Sequence, residues 1–466
     1  MITAKPLHFS HKLQPEAVFE HFSNQNWAMW LDSCQSDHID SRYDVMVWQP
    51  EITLTTQGEN TIVDYISAQR SETSPEDPLL LLQSVQNEFF KNIEIQTSDL
   101  PFLTGAVGYF SYDLGRRFEQ LPSTAIKDIN IPEMAVGIYS HALIYDKKVQ
   151  QYYLISSDEK RNMLEQSLYS LTNKKPQATP LPFKLTTDWQ ANMTKQQYQQ
   201  KFEKIQQYLL SGDCYQINLT QRFTAHYQGK EFQAYQALRN ANQAPFSAFI
   251  RLENCSMLSI SPERFLRVTE NTVQSKPIKG TKARSSDKAC DDANAIALKN
   301  SEKDKAENLM IVDLLRNDIS KVCAPGSVKV PTLFEIESFP AVHHLVSTVE
   351  GELENQFDAT DLLRASFPGG SITGAPKIRA MEIIDELEPQ RRSIYCGSIG
   401  YISACGNMDT SITIRTLICD SSNNQKTVHC WAGGGIVADS NVDAEYQESF
   451  DKVNKILPTL ENFDLN

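Results

Sequence analysis

The first 185 residues alternate between apolar and polar positions in short runs. In residues 43–48 and 52–56 apolar side chains recur at about every second position, which is the period of a strand with one buried face. Residues 105–113 and 142–146 read as further strands, the first with glycines where backbones approach closely. A helix is predicted from Pro78, because a proline that follows Asp77 suits the first helical position. This part of the chain is therefore expected to consist mainly of antiparallel strands.

The pattern changes after a polar, proline-containing stretch at 174–182, which we interpret as a linker between regions 1–185 and 186–466. Thr194 and Gln197 form a capping box, apolar residues then follow at helical spacing, and Gly212 is suited to end the helix. A strand is expected at 214–219. Beyond it, strands and helices mix without regular alternation, which favours an α+β fold with antiparallel sheets.

Composition narrows the class of protein. The chain has 466 residues, enough for two domains, and a net charge of -14, which argues against a nucleic-acid partner. Its nine cysteines contain no CxxC pair, so neither a disulfide framework nor a zinc site is expected. No apolar run reaches transmembrane length and the N-terminus has no apolar leader segment. We expect a soluble cytoplasmic protein that does not contact membranes.

Two predicted helices near the middle and the end of the chain each carry two carboxylates three residues apart, which places both on one face. The helices are expected to begin at Ser301 and Ser440. The carboxylate pairs are Asp304 with Glu307 and Glu445 with Glu448. Such pairs can hold a hard cation such as Mg²⁺. Acidic side chains near a helix N-terminus can equally be solvated and stabilised by the helix dipole.

Two glycine-rich stretches and two cations are further candidates. Residues 431–437 can form a backbone cradle for a carboxylate or simply a tight bend. Residues 367–377 form a glycine-rich turn before a helix but lack the spacing of a P-loop. Arg415, in an expected strand at 411–416, suits a carboxylate ligand. Lys279, within 277–281, is by itself typical of a solvated lysine in a turn.

Taken together, these residues resemble the chorismate-utilising enzymes, which include anthranilate synthase component I, aminodeoxychorismate synthase component I, and the isochorismate and salicylate synthases. The similarity extends from about residue 195 to the C-terminus, and segments 30–33 and 108–113 fit the companion domain of that family. The matching segments are 261–265, 277–281, 306–318, 343–347, 368–377, 400–401, 412–416 and 432–448. The resemblance implies antiparallel sheets packed as a sandwich with helices outside, a companion domain at 1–185 and a chorismate-binding catalytic domain at 186–466.

Single positions distinguish the branches of this family. Anthranilate synthases usually have alanine where this chain has Lys279, and the aminodeoxychorismate synthases have lysine. Isochorismate and salicylate synthases carry a general-base lysine where this chain has Gln216. Both positions favour the aminodeoxychorismate synthase branch, a transferase of the transaminase class. Anthranilate synthase component I and a non-catalytic chorismate-binding subunit are the alternatives.

The resemblance also implies roles for individual residues. Lys279 is the expected nucleophile and Glu263 the expected general acid. Glu307 and Glu448 are expected to bind Mg²⁺, and Asp304 and Glu445 to act through water. The expected substrate-binding residues are Arg415, Tyr395, Gly280, Thr281, His344, Ser371, Gly433, Gly435 and Lys452.

Two partners are implied in the same way. No cysteine lies in a GxCxGxQ-like nucleophile elbow, so a separate glutamine amidotransferase subunit is expected to supply ammonia for 4-amino-4-deoxychorismate, a precursor of 4-aminobenzoate and folate. The family also builds an amino-acid pocket, in which this chain can hold tryptophan as a regulator or structural ligand. A plain inter-domain core is the alternative. The pocket residues are Leu31, Asp32, Ser33, Tyr43, Pro245, Phe246 and Ser247.

Overall fold

The computed structural model describes residues 1–9, 12–34, 38, 40–172, 181–338 and 342–463. Residues 174–180 of the predicted linker lie outside the described residues. Within them, the chain forms two large antiparallel sheets with helices around them. None of the helices in these ranges is long and apolar enough to span a membrane.

Strands are numbered along the chain. The order across the first sheet is β1 (Ile2–Leu7), β10 (Gln151–Ser157), β9 (Ala142–Asp146), β3 (Tyr43–Val47), β2 (Met29–Asp32), β14 (Phe246–Arg251), β15 (Cys255–Ser261), β24 (Thr416–Asp420), β25 (Thr427–Ile436), β13 (Gln216–Gln228) and β11 (Lys184–Leu185), and β12 (Gln190–Ala191) and β21 (Gly374–Ala375) also pair with β13.

The second sheet contains the strand of Lys279 at one edge. Its order is β18 (Ile278–Ala283), β20 (Val342–Glu352), β17 (Thr272–Ser275), β16 (Arg264–Thr269), β23 (Met408–Ile412), β22 (Ser398–Ser403), β7 (Gly105–Phe110), β8 (Met134–Tyr139), β4 (Ile52–Gln57), β5 (Asn60–Tyr65) and β6 (Arg70–Ser74), and β19 (Lys329–Ser338) also pairs with β20.

The helices are also numbered along the chain. They are α1 (Pro15–Glu20), α2 (Pro78–Phe90), α3 (Asp158–Thr172), α4 (Lys195–Ser211), α5 (Glu231–Asn242), α6 (Lys288–Lys299), α7 (Glu302–Ser320), α8 (Ala359–Ser366), α9 (Lys377–Leu387), α10 (Val442–Asp451) and α11 (Leu457–Glu461), with 3-10 helices at Tyr112–Arg117 and Gly370–Ile372.

Both faces of the first sheet are covered, because alternate side chains of its strands enter different cores. In β14, Ala248 and Ile250 belong to the core that also contains Val107 and Val136 of the second sheet, whereas Phe249 packs with Phe232 of α5 on the opposite face. The expected α+β sandwich with helices outside is thus confirmed. Burial of these apolar faces is the main stabilising contribution to the fold.

Each of the two sheets contains strands from both sides of the predicted boundary at residue 185. Strand β2 pairs with β14 in the first sheet, and β7 pairs with β22 in the second. Strands from both sides of residue 185 thereby form continuous hydrogen-bonded ladders. That residues 1–185 and 186–466 are separate domains therefore stays a prediction.

Several predicted helix ends are confirmed. Asp77 caps α2 ahead of Pro78, and Thr194 forms the capping box of α4 with Gln197. The hydroxyl of Ser301 accepts the backbone N–H of Asp304 at the start of α7. Each of these caps satisfies backbone donors at a helix N-terminus that have no intrahelical partner.

Candidate active site

Lys279 lies in a strand that is bent at its next residue. In the pairing of β18 with β20, Lys279 is opposite Leu345 and Thr281 is opposite His344, so Gly280 is an extra residue in the ladder. Gly280 has a φ of +75°, and a Cβ there would lie 2.8 Å from Cγ of Asp304 on α7. Only glycine allows this conformation and this close approach. The bulge thus brings the strand of Lys279 against the acidic start of α7.

The amine of Lys279 is held inside the protein. Its Nζ donates to the backbone carbonyl of Ser371 at 3.2 Å. Burial lowers the pKa of Lys279, and this effect outweighs the carboxylates of Glu263 and Glu307, which favour the charged form. A lowered pKa increases the fraction of neutral amine, the form that can act as a nucleophile.

Glu263 lies between β15 and β16 and is 6 % exposed. Its backbone carbonyl accepts the N–H of Ile412 at 3.1 Å, and its side chain accepts the hydroxyl of Ser371 at 3.4 Å. Burial raises the pKa of Glu263 to about 7, although the ammonium of Lys279 acts in the opposite direction. A carboxyl group that keeps its proton near neutral pH can serve as a general acid.

The predicted acidic pair of α7 lies near these two residues. Glu307 is partly buried, and its carboxylate is 4.0 Å from Nζ of Lys303 one turn earlier. Burial raises the pKa of Glu307; Lys279 and Lys303 oppose this effect, whereas Asp304 and Glu445 add to it. Glu307 therefore lies in an excess of negative charge, which a bound cation would relieve.

The second acidic helix begins one residue later than predicted. Asn441 caps α10 by accepting the N–H groups of Asp443 and Ala444, so the prediction that Ser440 is the cap was wrong. The hydroxyl of Ser440 instead donates to Oε1 of Glu445 at 2.7 Å. Ser440 therefore orients a candidate metal-site carboxylate.

The carboxylates of Glu445 and Glu448 both stand over Gly434. A Cβ on Gly434 would lie 3.2 Å from an oxygen of each. Lys452 pairs with Glu448 at 2.7 Å and also donates to the carbonyl of Gly433 at 2.8 Å. Burial disfavours the charge of Glu448, but the nearby Lys452 outweighs it and holds the pKa of Glu448 below its usual range.

The donor chemistry of this region suits Mg²⁺. Two acidic pairs on α7 and α10 supply carboxylate oxygens, and Mg²⁺ usually takes one or two carboxylates and completes its octahedron with water and ligand oxygens. Within the described ranges, no three His, Cys, Asp or Glu side chains converge into a complete metal cage. The residues therefore fit an open Mg²⁺ site better than a closed structural one.

The glycines of the expected cradle lie in a strand and not in a turn, which corrects the sequence interpretation. Residues Gly433–Gly435 belong to β25 and pair with β13 along one edge. On the other edge, β24 pairs with β25 only as far as Cys430. At Gly433–Gly435, the edge of β25 that faces away from β13 is therefore not paired with β24. The backbone N–H and C=O groups on that edge can face a ligand.

Arg415 lies beside this region, where the expected strand is interrupted. The strand predicted at 411–416 ends at Ile412, and a new one starts at Thr416. Arg415 lies in the break with a φ of +50°. Its guanidinium forms no hydrogen bond or ion pair with any described residue. Burial lowers the pKa of Arg415, opposed by Glu263 and Tyr395. A desolvated guanidinium without a protein partner suits an anionic ligand.

The remaining predicted ligand residues enclose the same region. His344 is buried, its Nδ1 is 2.9 Å from the hydroxyl of Thr281, and burial together with Arg415 lowers the pKa of His344 to about 4. His344 is therefore neutral at physiological pH. Tyr395 stacks on Trp431 with ring centroids 6.1 Å apart and an interplanar angle of 10°. Trp431 thus fixes the ring of Tyr395.

Gln216 is the first residue of β13. Its side chain is fully buried, and Nε2 donates to Oδ1 of Asn218 at 3.2 Å. Asn218 in turn donates to the carbonyl of Ser371 at 3.2 Å. The sequence interpretation missed Asn218, although its position two residues after Gln216 on the same strand could have indicated a shared face.

A cavity of about 500 Å³ is lined by residues of β2, β3, β14, β16, β22 and β23. All seven residues of the predicted amino-acid pocket line it: Leu31, Asp32, Ser33, Tyr43, Pro245, Phe246 and Ser247. The carboxylate of Asp32 is engaged inside the protein, with Nε of Arg239 at 2.5 Å and the hydroxyl of Tyr235 at 2.9 Å. These contacts fix the side chain of Asp32 in the cavity wall.

Comparisons with known proteins identify the family of this chain. A family model described as chorismate binding enzyme matches residues 26–458. Aminodeoxychorismate synthase component 1 of Escherichia coli is 55% identical over 450 residues and 96% of each chain, and that of Salmonella typhimurium is 52% identical over 99% of this chain and 100% of its own. The solved structure of anthranilate synthase component I from Streptococcus pneumoniae has a TM-score of 0.79 at 31% identity and covers 90% of this chain and 93% of its own. With its sequence and its fold both matched over nearly the whole length, this chain belongs to the family of chorismate binding enzymes.

Proposed function

We propose that this chain is component 1 of an aminodeoxychorismate synthase and aminates chorismate at C4. The observation that carries the proposal is that the buried acid Glu263 lies near both the Lys279 amine and the guanidinium of Arg415, which has no partner among the described residues. Relatives at 52% and 55% identity bear the name of this enzyme. An anthranilate synthase would not need an amine at position 279.

The substrate carries two carboxylates, and the site offers separate groups for each. Arg415, Tyr395 and the uncovered backbone of Gly433 and Gly435 would hold the enolpyruvyl carboxylate. Glu307 and Glu448 would bind Mg²⁺, with Asp304 and Glu445 acting through water. The bound ion would neutralise the ring carboxylate and orient the ring. Gly280, Thr281, His344, Ser371 and Lys452 would complete the walls.

The reaction replaces the C4 hydroxyl of chorismate with an amine in two displacements. The neutral amine of Lys279 attacks C2, both ring double bonds shift, and the C4–oxygen bond breaks while Glu263 gives its proton to the departing hydroxyl, which leaves as water. Ammonia then attacks C4, both double bonds shift back, the C2–nitrogen bond to Lys279 breaks, and the new ammonium group at C4 returns a proton to Glu263. The enolpyruvyl group is retained, so the product is 4-amino-4-deoxychorismate, for 4-aminobenzoate and folate biosynthesis.

Ammonia would come from a separate glutamine amidotransferase subunit in the cytoplasm. Of the nine cysteines, only Cys290 and Cys405 are exposed, and neither lies in a nucleophile elbow. The term "component 1" in the names of the relatives is consistent with a second component. Transfer of the amino group from glutamine would make the complete enzyme a transferase of the transaminase class.

Purified chain incubated with chorismate, Mg²⁺ and ammonium should form aminodeoxychorismate, identified by mass and fluorescence. Because ammonium replaces the partner subunit, the chain alone should suffice. Removal of Mg²⁺ with a chelator should abolish turnover, and added Mg²⁺ should restore it. Anthranilate with pyruvate, isochorismate, or no turnover would each contradict the proposal.

Tryptophan should raise the thermal unfolding temperature of the chain by a few degrees, because we propose that the 500 Å³ cavity holds this amino acid. A ligand that binds only the folded state stabilises it by about 2.7 kcal/mol at one hundred times its Kd. The variant Phe246→Ala, which removes an aromatic wall, should lose most of this shift. No shift with tryptophan, or an equal shift in the variant, would favour a plain core.

A further inference from the structure

A buried ion pair lies behind the proposed active site. The guanidinium of Arg392 is bidentate to Glu388, with Nε to Oε2 at 2.9 Å and Nη2 to Oε1 at 2.7 Å. The side chains are 1% and 4% exposed, respectively. Within the described residues, no hydrogen bond or ion pair joins either side chain directly to Lys279, Glu263 or Arg415. A buried pair of this kind adds little net stability compared with apolar residues, so its contacts with the backbone call for a functional explanation.

Arg392 uses its remaining donors on two segments of the site wall. Nη1 donates to the carbonyl of Ile372 at 2.9 Å, and Nη2 donates to the carbonyl of Asn218 at 2.7 Å. Ile372 belongs to the 3-10 helix of the glycine-rich turn, and Asn218 belongs to β13. The guanidinium therefore fixes the turn and the strand relative to each other.

Between these two anchors lies Ser371, which contacts both proposed reacting groups. Its carbonyl accepts Nζ of Lys279 and Nδ2 of Asn218, each at 3.2 Å, and its hydroxyl donates to Glu263 at 3.4 Å. A shift of Ser371 would thus move a hydrogen bond of the nucleophile and a hydrogen bond of the acid together.

Glu388 holds β13 at a second point, next to the glycine strand β25. Its Oε1 accepts the backbone N–H of Thr220 at 3.0 Å and the hydroxyl of Thr220 at 2.8 Å. Thr220 is directly opposite Gly433 in the pairing of β13 with β25. The ion pair is therefore hydrogen-bonded to two segments of the site wall, the 3-10 helix at Ile372 and strand β13 at Asn218 and Thr220.

We propose that Arg392 and Glu388 are positioning residues that aim the Lys279 amine and the Glu263 carboxyl through Ser371. This inference rests on the proposed function, because it assigns the pair a role in the C4 amination. Small misplacements of reacting groups can reduce a rate by about 10²-fold. An apolar pair could fill the same volume, but it could not donate to the carbonyls of Ile372 and Asn218.

Glu388→Gln and Arg392→Lys should each lower kcat for amination with ammonium by at least about tenfold, with KM for chorismate changed by less than about threefold. In Glu388→Gln the neutral amide cannot form an ion pair with the guanidinium of Arg392. In Arg392→Lys the ammonium group lacks the planar fork with which arginine donates to both carbonyls. The control is Glu231→Gln, which removes one charge from the pair of Glu231 with Arg251. That pair is similarly buried, with Nη2 to Oε2 at 2.9 Å, and its partners lie outside the site.

The pH profile distinguishes positioning from a loss of fold. The hydroxyl of Ser371 donates to Glu263 and lowers the pKa of that carboxyl group. In Glu388→Gln and Arg392→Lys this hydrogen bond should weaken, so the alkaline limb of kcat should move to higher pH, whereas in Glu231→Gln it should not move. If either folded variant keeps the wild-type kcat and profile, or if Glu231→Gln shows the same loss, the positioning role is wrong while the proposed function stands. Should Glu388→Gln unfold, Arg392→Lys decides. Absence of turnover by the unsubstituted chain would overturn both.

Discussion

Lys279→Ala should abolish the covalent chorismate adduct and lower C4 amination by at least about 10³-fold, a loss typical of removing an essential nucleophile. The reason is chemical: alanine has no electron pair to attack C2. Burial already lowers the pKa of Lys279, which increases the fraction of neutral amine. Intact-mass measurement after mixing with chorismate and Mg²⁺, in the absence of ammonium, should show the adduct in the unsubstituted chain only.

The matched control is Lys282→Ala, which removes an exposed lysine from the same strand. Its adduct and its turnover should equal those of the unsubstituted chain, because its ammonium is three residues beyond Lys279. Adduct formation by Lys279→Ala would show that another group is the nucleophile. Loss of the adduct in both variants would point to a general effect of charge.

The contrast between Ser301 and Ser440 shows what a local pattern can predict. Ser301 caps α7 as expected, because its hydroxyl and the N–H of Asp304 are brought together by the helix itself. At Ser440 the same pattern failed, since Asn441 is an equally good cap one residue later and the Ser440 hydroxyl bonds to Glu445. Likewise, alternation at 411–416 predicted one strand, but Arg415 adopts a left-handed φ that period alone does not reveal.

The convergence of the site depended on contacts between distant segments. Local spacing could place Glu445 and Glu448 on one face, but it could not show that both stand over Gly434, or that Gly280 meets Asp304. The family resemblance provided that grouping, and the structure brings the predicted residues together. The resemblance could not indicate the role of Arg392 and Glu388. Arg392 bonds to the backbone carbonyls of Asn218 and Ile372, and a backbone acceptor leaves no mark in the sequence.

Glu263→Gln should lower kcat by about 10² to 10⁴-fold, the usual contribution of a general acid. Glutamine has nearly the same shape and can still accept the Ser371 hydroxyl, but it has no proton to give to the departing C4 hydroxyl. The KM for chorismate should change little by comparison. Stopped assays with ammonium at saturating chorismate measure this loss, and Glu231→Gln is again the control for removing a buried carboxylate elsewhere.

The pH dependence gives the sharper test of Glu263. An acid works in its protonated form, so with a pKa raised by burial to about 7 in the free protein, kcat/KM should fall as pH rises through that value. Lys279 works in its neutral form and contributes the opposite limb, a fall in kcat/KM as pH decreases. Because Glu263 and Lys279 interact, the apparent pKa value of each limb belongs to the pair and not to one residue. Glu263→Gln should lose the alkaline limb and keep a limb on the acid side; an alkaline limb near pH 7 that persists in this variant would assign the proton donor to another group.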